Sequence, residues 1–275
     1  MGPDRHHLAY PTRYRPAGIA LPIQSKPPAG SPSPNPDGIM TYPGGKHGAG
    51  VYQRIINQIP PHRVYIEGCV GGGAILKQKR PAAISYAIDI DPGAVGGLAG
   101  AVPDGTRLIN ADVIGWLEAY PFDGSEFVYL DPPYLLETRR SAEPIYRYEF
   151  TTEQHARLLD VITRVPSRVM ISGYPSAMYA AALAEWRELP LTVPTRQGPA
   201  EEALWMNYPR PAVLHDYRFI GDDRRRRQDL ARQRRRWARR FAALPPLQRS
   251  AILEVLRGIH AGEDLDGIDA AGPAP

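Results

Sequence analysis

The chain has 275 residues, 43% of them hydrophobic, enough to bury one core with a small appendage. No run of about 18 apolar residues is present, which excludes a membrane-spanning helix. The formal charge is only +4, and the lone cysteine, Cys69, excludes an internal disulfide framework or a cysteine-built zinc site. With no apolar leader segment, a cytoplasmic, reducing setting is expected, and no metal.

Residues 1–38 are rich in Pro, Gly and Ser ("KPPAGSPSPNPDG") and carry no helical or strand period, so they are expected to be a disordered tail. "RVYIEG" (63–68) predicts a buried strand, and "CVGGGAILKQKR" a glycine-rich turn entering a short helix that Pro81 stops. "ISYAIDID" (84–91), "TRLINAD" (106–112) and "EFVYLD" (126–131) predict three more strands, each ending in acid. "TTEQHARLLDVITRV" (151–165) opens on a capping threonine and has helical periodicity, with His155 expected to face solvent or to cap. "SRVMISGY" (167–174) predicts a fifth strand and "EALWMNY" (202–208) a late one. Strands alternating with helices indicate an α/β fold, a mostly parallel sheet with helices on both faces. An arginine-dense helix and an amphipathic helix, divided at Pro245-Pro246, make a C-terminal helical extension over 222–262, and an acidic tail fills 263–275.

In an open parallel sheet, ligands bind beyond the carboxyl ends of the strands. Glu67 to Gly73, Asp89 to Asp91, Asp112 and Asp131 to Tyr134 all fall there, so one mouth collects glycines, acids and an aromatic ring. The glycine turn followed about twenty residues later by Asp89 suits a nucleoside-bearing cofactor, with the acid on its ribose. No Lys-Ser/Thr ending follows the turn, which disfavours a P-loop. "DPPY" (131–134) is a stiff extended turn. Asp131 and the Pro132 carbonyl offer acceptors for the two N–H groups of an amine on a planar heterocycle, while Tyr134 offers a face for its ring. Ser172 and Tyr174 end the fifth strand at the same mouth.

"DPPY" after an apolar strand resembles the catalytic motif of amino-group methyltransferases that use S-adenosylmethionine. The wider arrangement resembles the Dam-like, D12-class adenine-N6 DNA methyltransferases. "TYPGGKHGAG" (41–50), "IEGCVGGGA", "AIDID", "YEFTTEQHARLL" and "TRQGPAEEALWMNY" are similar to that family's elements, in its order, from about Met40 to Pro209. The resemblance implies a Rossmann-like class I methyltransferase domain over 39–221 and S-adenosyl-L-methionine as cofactor. It implies that Tyr42 and Lys46 border the cofactor, the lysine near its methionine carboxylate. Glu67, Gly71 and Gly73 shape the cofactor loop, Asp89 holds the ribose, and Asp112 lies near the cofactor adenine. Asp131, Pro132, Pro133 and Tyr134 form the catalytic corner. Gly68 and Cys69 stand where the family has proline and phenylalanine.

The implied partner is double-stranded DNA with a flipped base, of bacterial or phage origin. RNA adenine is the second reading, cytosine-N4 transfer the third, and a decayed nucleic-acid-binding protein the reading from another class. Only about forty residues separate Asp91 from Asp131, too few for the large recognition insert of Dam-like enzymes, so relaxed specificity is expected. Candidate nucleic-acid contacts are Arg139, Arg140, Tyr146 and Arg147, with Arg224, Arg227, Arg234 and Arg235 on the arginine-dense helix, which Trp237 and Phe241 are expected to dock.

Overall fold

The computed structural model describes residues 33–34, 40–41, 46, 50–139, 145–195 and 198–261. Tyr42, Arg140 and most of the proline-rich tail lie outside these residues. From that tail, β1 (Ser33–Pro34) pairs antiparallel with β2 (Met40–Thr41), just beyond it.

Helix α1 (Val51–Ile56) leads into β3 (Val64–Gly68), α2 (Ala74–Gln78), β4 (Ile84–Asp89) and α3 (Pro92–Leu98). Then come β5 (Thr106–Asn110), α4 (Val113–Ala119), β6 (Glu126–Leu130), α5 (Thr152–Arg164), β7 (Arg168–Gly173) and α6 (Ala177–Ala182). The hairpin β8 (Arg187–Thr195) and β9 (Gly198–Met206) completes the sheet, and α7 (Arg224–Ala243) and α8 (Pro246–Ala261) follow. The sheet order is β5-β4-β3-β6-β7-β9-β8; the first five strands are parallel, β9 is antiparallel to β7, and β8 to β9. This is a Rossmann-like, doubly wound α/β sheet, with the chain reversing direction across the sheet between β3 and β6.

Strand period divides the core between the two faces. Ile66, Val128, Leu130, Val169 and Ile171 pack against α4, α5 and α6 through Ile114, Leu117, Leu158, Ile162 and Tyr179. Their neighbours Tyr65, Phe127, Tyr129 and Met170 point the other way, onto Ile55, Ile75 and Leu98 of α1, α2 and α3. The predicted threonine cap of α5 is a full capping box: Thr151 Oγ1 accepts from the Gln154 N–H, and Gln154 Oε1 from the Thr151 N–H.

Two expectations are corrected. His155 does not face solvent: it is fully buried, its Nδ1 lies 3.0 Å from the Tyr179 hydroxyl, and Phe150 packs edge-on against its ring. Trp237 does not dock α7: it is 53% exposed, and the helix buries no residue. What tethers α7 is polar, through Arg234 to the Tyr217 carbonyl and Arg227 to the carbonyls of Gly221 and Asp222.

Candidate active site

The parallel strands end at one sheet edge, and there the expected acids and glycines meet. Gly68 is paired with Leu130 in register, and the Asp131 N–H donates to the Gly68 carbonyl at 3.4 Å, so the corner and the glycine turn are neighbours. The turn runs through left-handed backbone at Cys69 (φ 53°), Gly71 (φ 47°) and Gly73 (φ 64°), the region that glycine enters without steric cost. The Gly71 N–H donates to Asp89 Oδ2 at 2.8 Å, and the Asp91 N–H to Asp89 Oδ1 at 2.9 Å. A carboxylate offers about four lone-pair sites, so Asp89 keeps acceptor capacity for a further donor. Asp112 caps α4, accepting from the N–H groups of Ile114 and Gly115.

Gly68 explains its own departure from proline. A Cβ at this position would lie 2.4 Å from Val113 Cγ2 and 2.6 Å from Leu130 Cδ2, so proline would collide as alanine would. Glu67, beside it, is buried and takes the Tyr65 hydroxyl at 2.6 Å. Burial pushes its carboxyl up to about 7, against the opposing pull of that hydroxyl and of Lys79.

At the corner, Asp131 Oδ1 receives Lys46 Nζ at 2.8 Å and Ser172 Oγ at 2.7 Å, with the Tyr134 hydroxyl at 3.1 Å. Among the described residues, no hydrogen-bond partner falls on Oδ2, and the side chain is 21% exposed. One carboxylate oxygen is therefore fastened and the other is presented. Lys46 sits at this corner rather than on the glycine turn: its Nζ donates to the Tyr134 hydroxyl at 2.7 Å and pairs with Glu202 Oε2 at 3.3 Å. Burial works against the ammonium, but Asp131 and Glu202 together hold its pKa above the usual lysine range. The Tyr134 ring is buried, its hydroxyl donates to Glu202 Oε2 at 2.7 Å, and the partly exposed Tyr174 lies against it, ring centroids 4.7 Å apart.

Glu202 is the residue that the motif reading left without a role. Strand β9 runs antiparallel, so its early residues arrive at the edge where the parallel strands end: Gly173 is paired with Ala203, and Glu202 lies just beyond. The signal was an acid opening an otherwise apolar strand, "EALWM".

The basic candidates divide. Arg139 is corrected from phosphate contact to structural clamp: its side chain is buried and forks onto Glu149 at 2.8 and 2.6 Å, with a further bond to the Tyr134 carbonyl. Tyr146 is partly buried beneath the Arg139 guanidinium, 5.2 Å from ring centroid to Cζ. Arg147 is exposed, 3.7 Å from Asp91. On α7, ten arginines face a single acid, Asp229, and Arg224 and Arg235 have no ion-pair or hydrogen-bond partner among the described residues.

No family model matches the chain, and no curated protein matches it. Solved structures similar to it include the magnesium protoporphyrin IX methyltransferase of Synechocystis PCC 6803, solved with S-adenosylmethionine (SAM) bound (15% identity, 57% of this chain and 75% of that one, TM-score 0.38). The N-methyltransferase NodS of Bradyrhizobium japonicum WM9 matches at 13% identity over 57% and 93% of the two chains, TM-score 0.39. The 23S rRNA methyltransferase ErmE matches at 14% over 60% and 68%, TM-score 0.36.

Proposed function

We propose that the protein transfers a methyl group from S-adenosyl-L-methionine to the N6 amino group of adenine in DNA. The observation that carries this reading is the half-fastened Asp131, whose backbone adjoins the glycine turn: Oδ1 is locked by Lys46 and Ser172, and Oδ2 takes no hydrogen bond among the described residues. The donor set fits the cofactor: left-handed glycines at the tip of β3, and an Asp89 carboxylate already aligned by Gly71 with acceptor sites to spare for ribose hydroxyls. When bound, the cofactor supplies a methyl group already activated on a sulfonium.

The chain then has to orient and desolvate rather than form a covalent intermediate. Asp131 Oδ2 accepts one N–H of the target amine and the Pro132 carbonyl the other, drawing the amine out of conjugation and aiming its lone pair. Because the Tyr134 ring is buried and its hydroxyl engaged, Tyr174 is the better-placed face for the base. Base stacking of this kind is worth about 1–3 kcal/mol, offsetting the few kcal/mol of extruding the base from a duplex. Arg147, Tyr146 and the exposed arginines of α7, Arg224 and Arg235 among them, supply the phosphate-facing surface, and with no large insert the specificity is relaxed.

Incubation with tritium-labelled SAM and either DNA or RNA, followed by identification of the modified nucleoside, tests the reading. N6-methyladenine in DNA supports it. The same product in RNA alone would move the substrate to RNA, and no transfer to either would remove the assignment. Asp131→Ala should lower transfer at least a thousandfold while cofactor binding persists.

A further inference from the structure

Glu202 is 3% exposed on the second strand of the β8–β9 hairpin, outside the catalytic turn, yet one of its oxygens meets both the Tyr134 hydroxyl at 2.7 Å and the Lys46 ammonium at 3.3 Å. Lys46 therefore spans two carboxylates, Asp131 on one side and Glu202 on the other. A buried charge has to be compensated or it destabilises the fold, so an acid placed here reflects a local demand. Lys46 and Asp131 alone would be neutral. With both carboxylates ionised, Glu202 leaves the cluster with one unit of net negative charge.

We propose that Glu202 is a positioning residue for methyl transfer, holding Lys46 onto the corner and keeping that corner net negative where positive charge arrives. The inference rests on the methyl-transfer reading above. The target nitrogen gives its lone pair to the methyl carbon while the carbon–sulfur pair stays with sulfur, so one unit of positive charge moves onto the nitrogen. Asp131 Oδ2 then takes one N–H proton and passes it to water. Fixed charge aimed at a site where charge develops, in a water-poor pocket, is an effective form of catalytic stabilisation. Glu202 supplies it through Lys46 and Tyr134, without touching the base itself.

Glu202→Gln keeps the shape and removes the charge; Glu202→Asp keeps the charge and shortens the arm. The expected result for Glu202→Gln is a kcat about tenfold lower or more, with the KM for SAM within about threefold, and for Glu202→Asp most of the kcat retained. A second readout needs no turnover: calorimetry of SAM against S-adenosylhomocysteine without nucleic acid. A net-negative corner favours the sulfonium over the neutral thioether, so Glu202→Gln should lower that preference several-fold and Glu202→Asp should not. Should Glu202→Gln fail to fold, a wild-type preference combined with poor kcat in Glu202→Asp would overturn the charge role. Unchanged kcat and unchanged preference in a folded Glu202→Gln would also overturn it, leaving the methyl-transfer reading intact. If the wild-type protein transfers no methyl group, that reading falls, and the preference measurement still judges Glu202.

Discussion

The Gly71 N–H and Asp89 Oδ2 are joined at 2.8 Å, a bond across 18 residues of chain that ties the glycine turn after β3 to the acid ending β4. Asp89→Ala removes the acceptor for both Gly71 and Asp91 and the proposed ribose contact together. The expected outcome is a 10- to 100-fold weaker Kd for S-adenosylhomocysteine by calorimetry, roughly 1.4–2.8 kcal/mol, with Asp89→Asn in between. An unchanged Kd would remove Asp89 from the cofactor site.

Gly68 is fixed by packing. Its missing Cβ leaves room for Val113 and Leu130, which would stand 2.4 and 2.6 Å away. Overpacking of this kind typically costs about 1–3 kcal/mol, and here two branched side chains would have to move at once. Gly68→Ala should therefore lower the unfolding free energy from urea denaturation by at least that much, and Gly68→Ala with Val113→Ala should recover part of the loss. A neutral Gly68→Ala would show that the β3–β6 junction yields easily.

Arg139 bears on how far the sequence was legible. Mixed with tyrosines in "LETRRSAEPIYRYEF", it reads as a nucleic-acid contact, yet its partner Glu149, ten residues on, makes it a buried fork. Removing one member of a buried ion pair costs about 3–5 kcal/mol because the other charge is stranded. Partial exposure of Glu149 should reduce that to roughly 2 kcal/mol for Arg139→Ala. Arg139→Lys should restore little, since an ammonium cannot reproduce the bidentate geometry. The salt dependence of DNA binding should stay unchanged; a reduced slope would return Arg139 to the phosphate surface.

What the sequence concealed follows the same logic. The parallel strands are short apolar runs bounded by glycines, prolines and acids, and those bounds also mark the site. Strand β8 was hidden because Pro190 and Pro194 read as breaks; the sheet tolerates them because β8 is an edge strand paired on one side only. Lys46 and Glu202 lie 156 positions apart, and no local pattern announces their meeting at the Tyr134 hydroxyl. His155 was misread as facing solvent, although it shares the apolar stripe of Leu158, Leu159 and Ile162 at helical spacing.

His155 gives a pH dependence. Burial, reinforced by the nearby Arg139 cation, lowers its pKa from 6.5 to about 4, so the folded state holds it neutral where the unfolded chain binds a proton. Between those values the unfolded state carries more protons, and stability falls as pH drops from about 6.5 toward 4. His62, lowered to about 3 chiefly by burial, acts in the same direction over a wider span. For His155 the loss is about 2–3 kcal/mol at the acid end. Urea denaturation of wild type and His155→Phe at pH 7.5, 5.5 and 4.5 should show a shallower acid loss in the variant. Parallel losses would mean that His155 does not titrate with unfolding.

The arginines of α7 make the final prediction. A solvated charged helix and a phosphate tracker share this sequence, but they differ in salt response. Each phosphate neutralised contributes about −0.9 to the slope of log K against log salt for duplex DNA. Arg224→Gln with Arg235→Gln, two exposed residues without partners among the described residues, should reduce the slope by about two and weaken binding at all sequences alike. Arg232→Gln, whose guanidinium is engaged with Asp229 at 3.0 Å, should change it less. A slope that survives the double substitution would make α7 a solvated face and leave duplex contact to Arg147 and Tyr146.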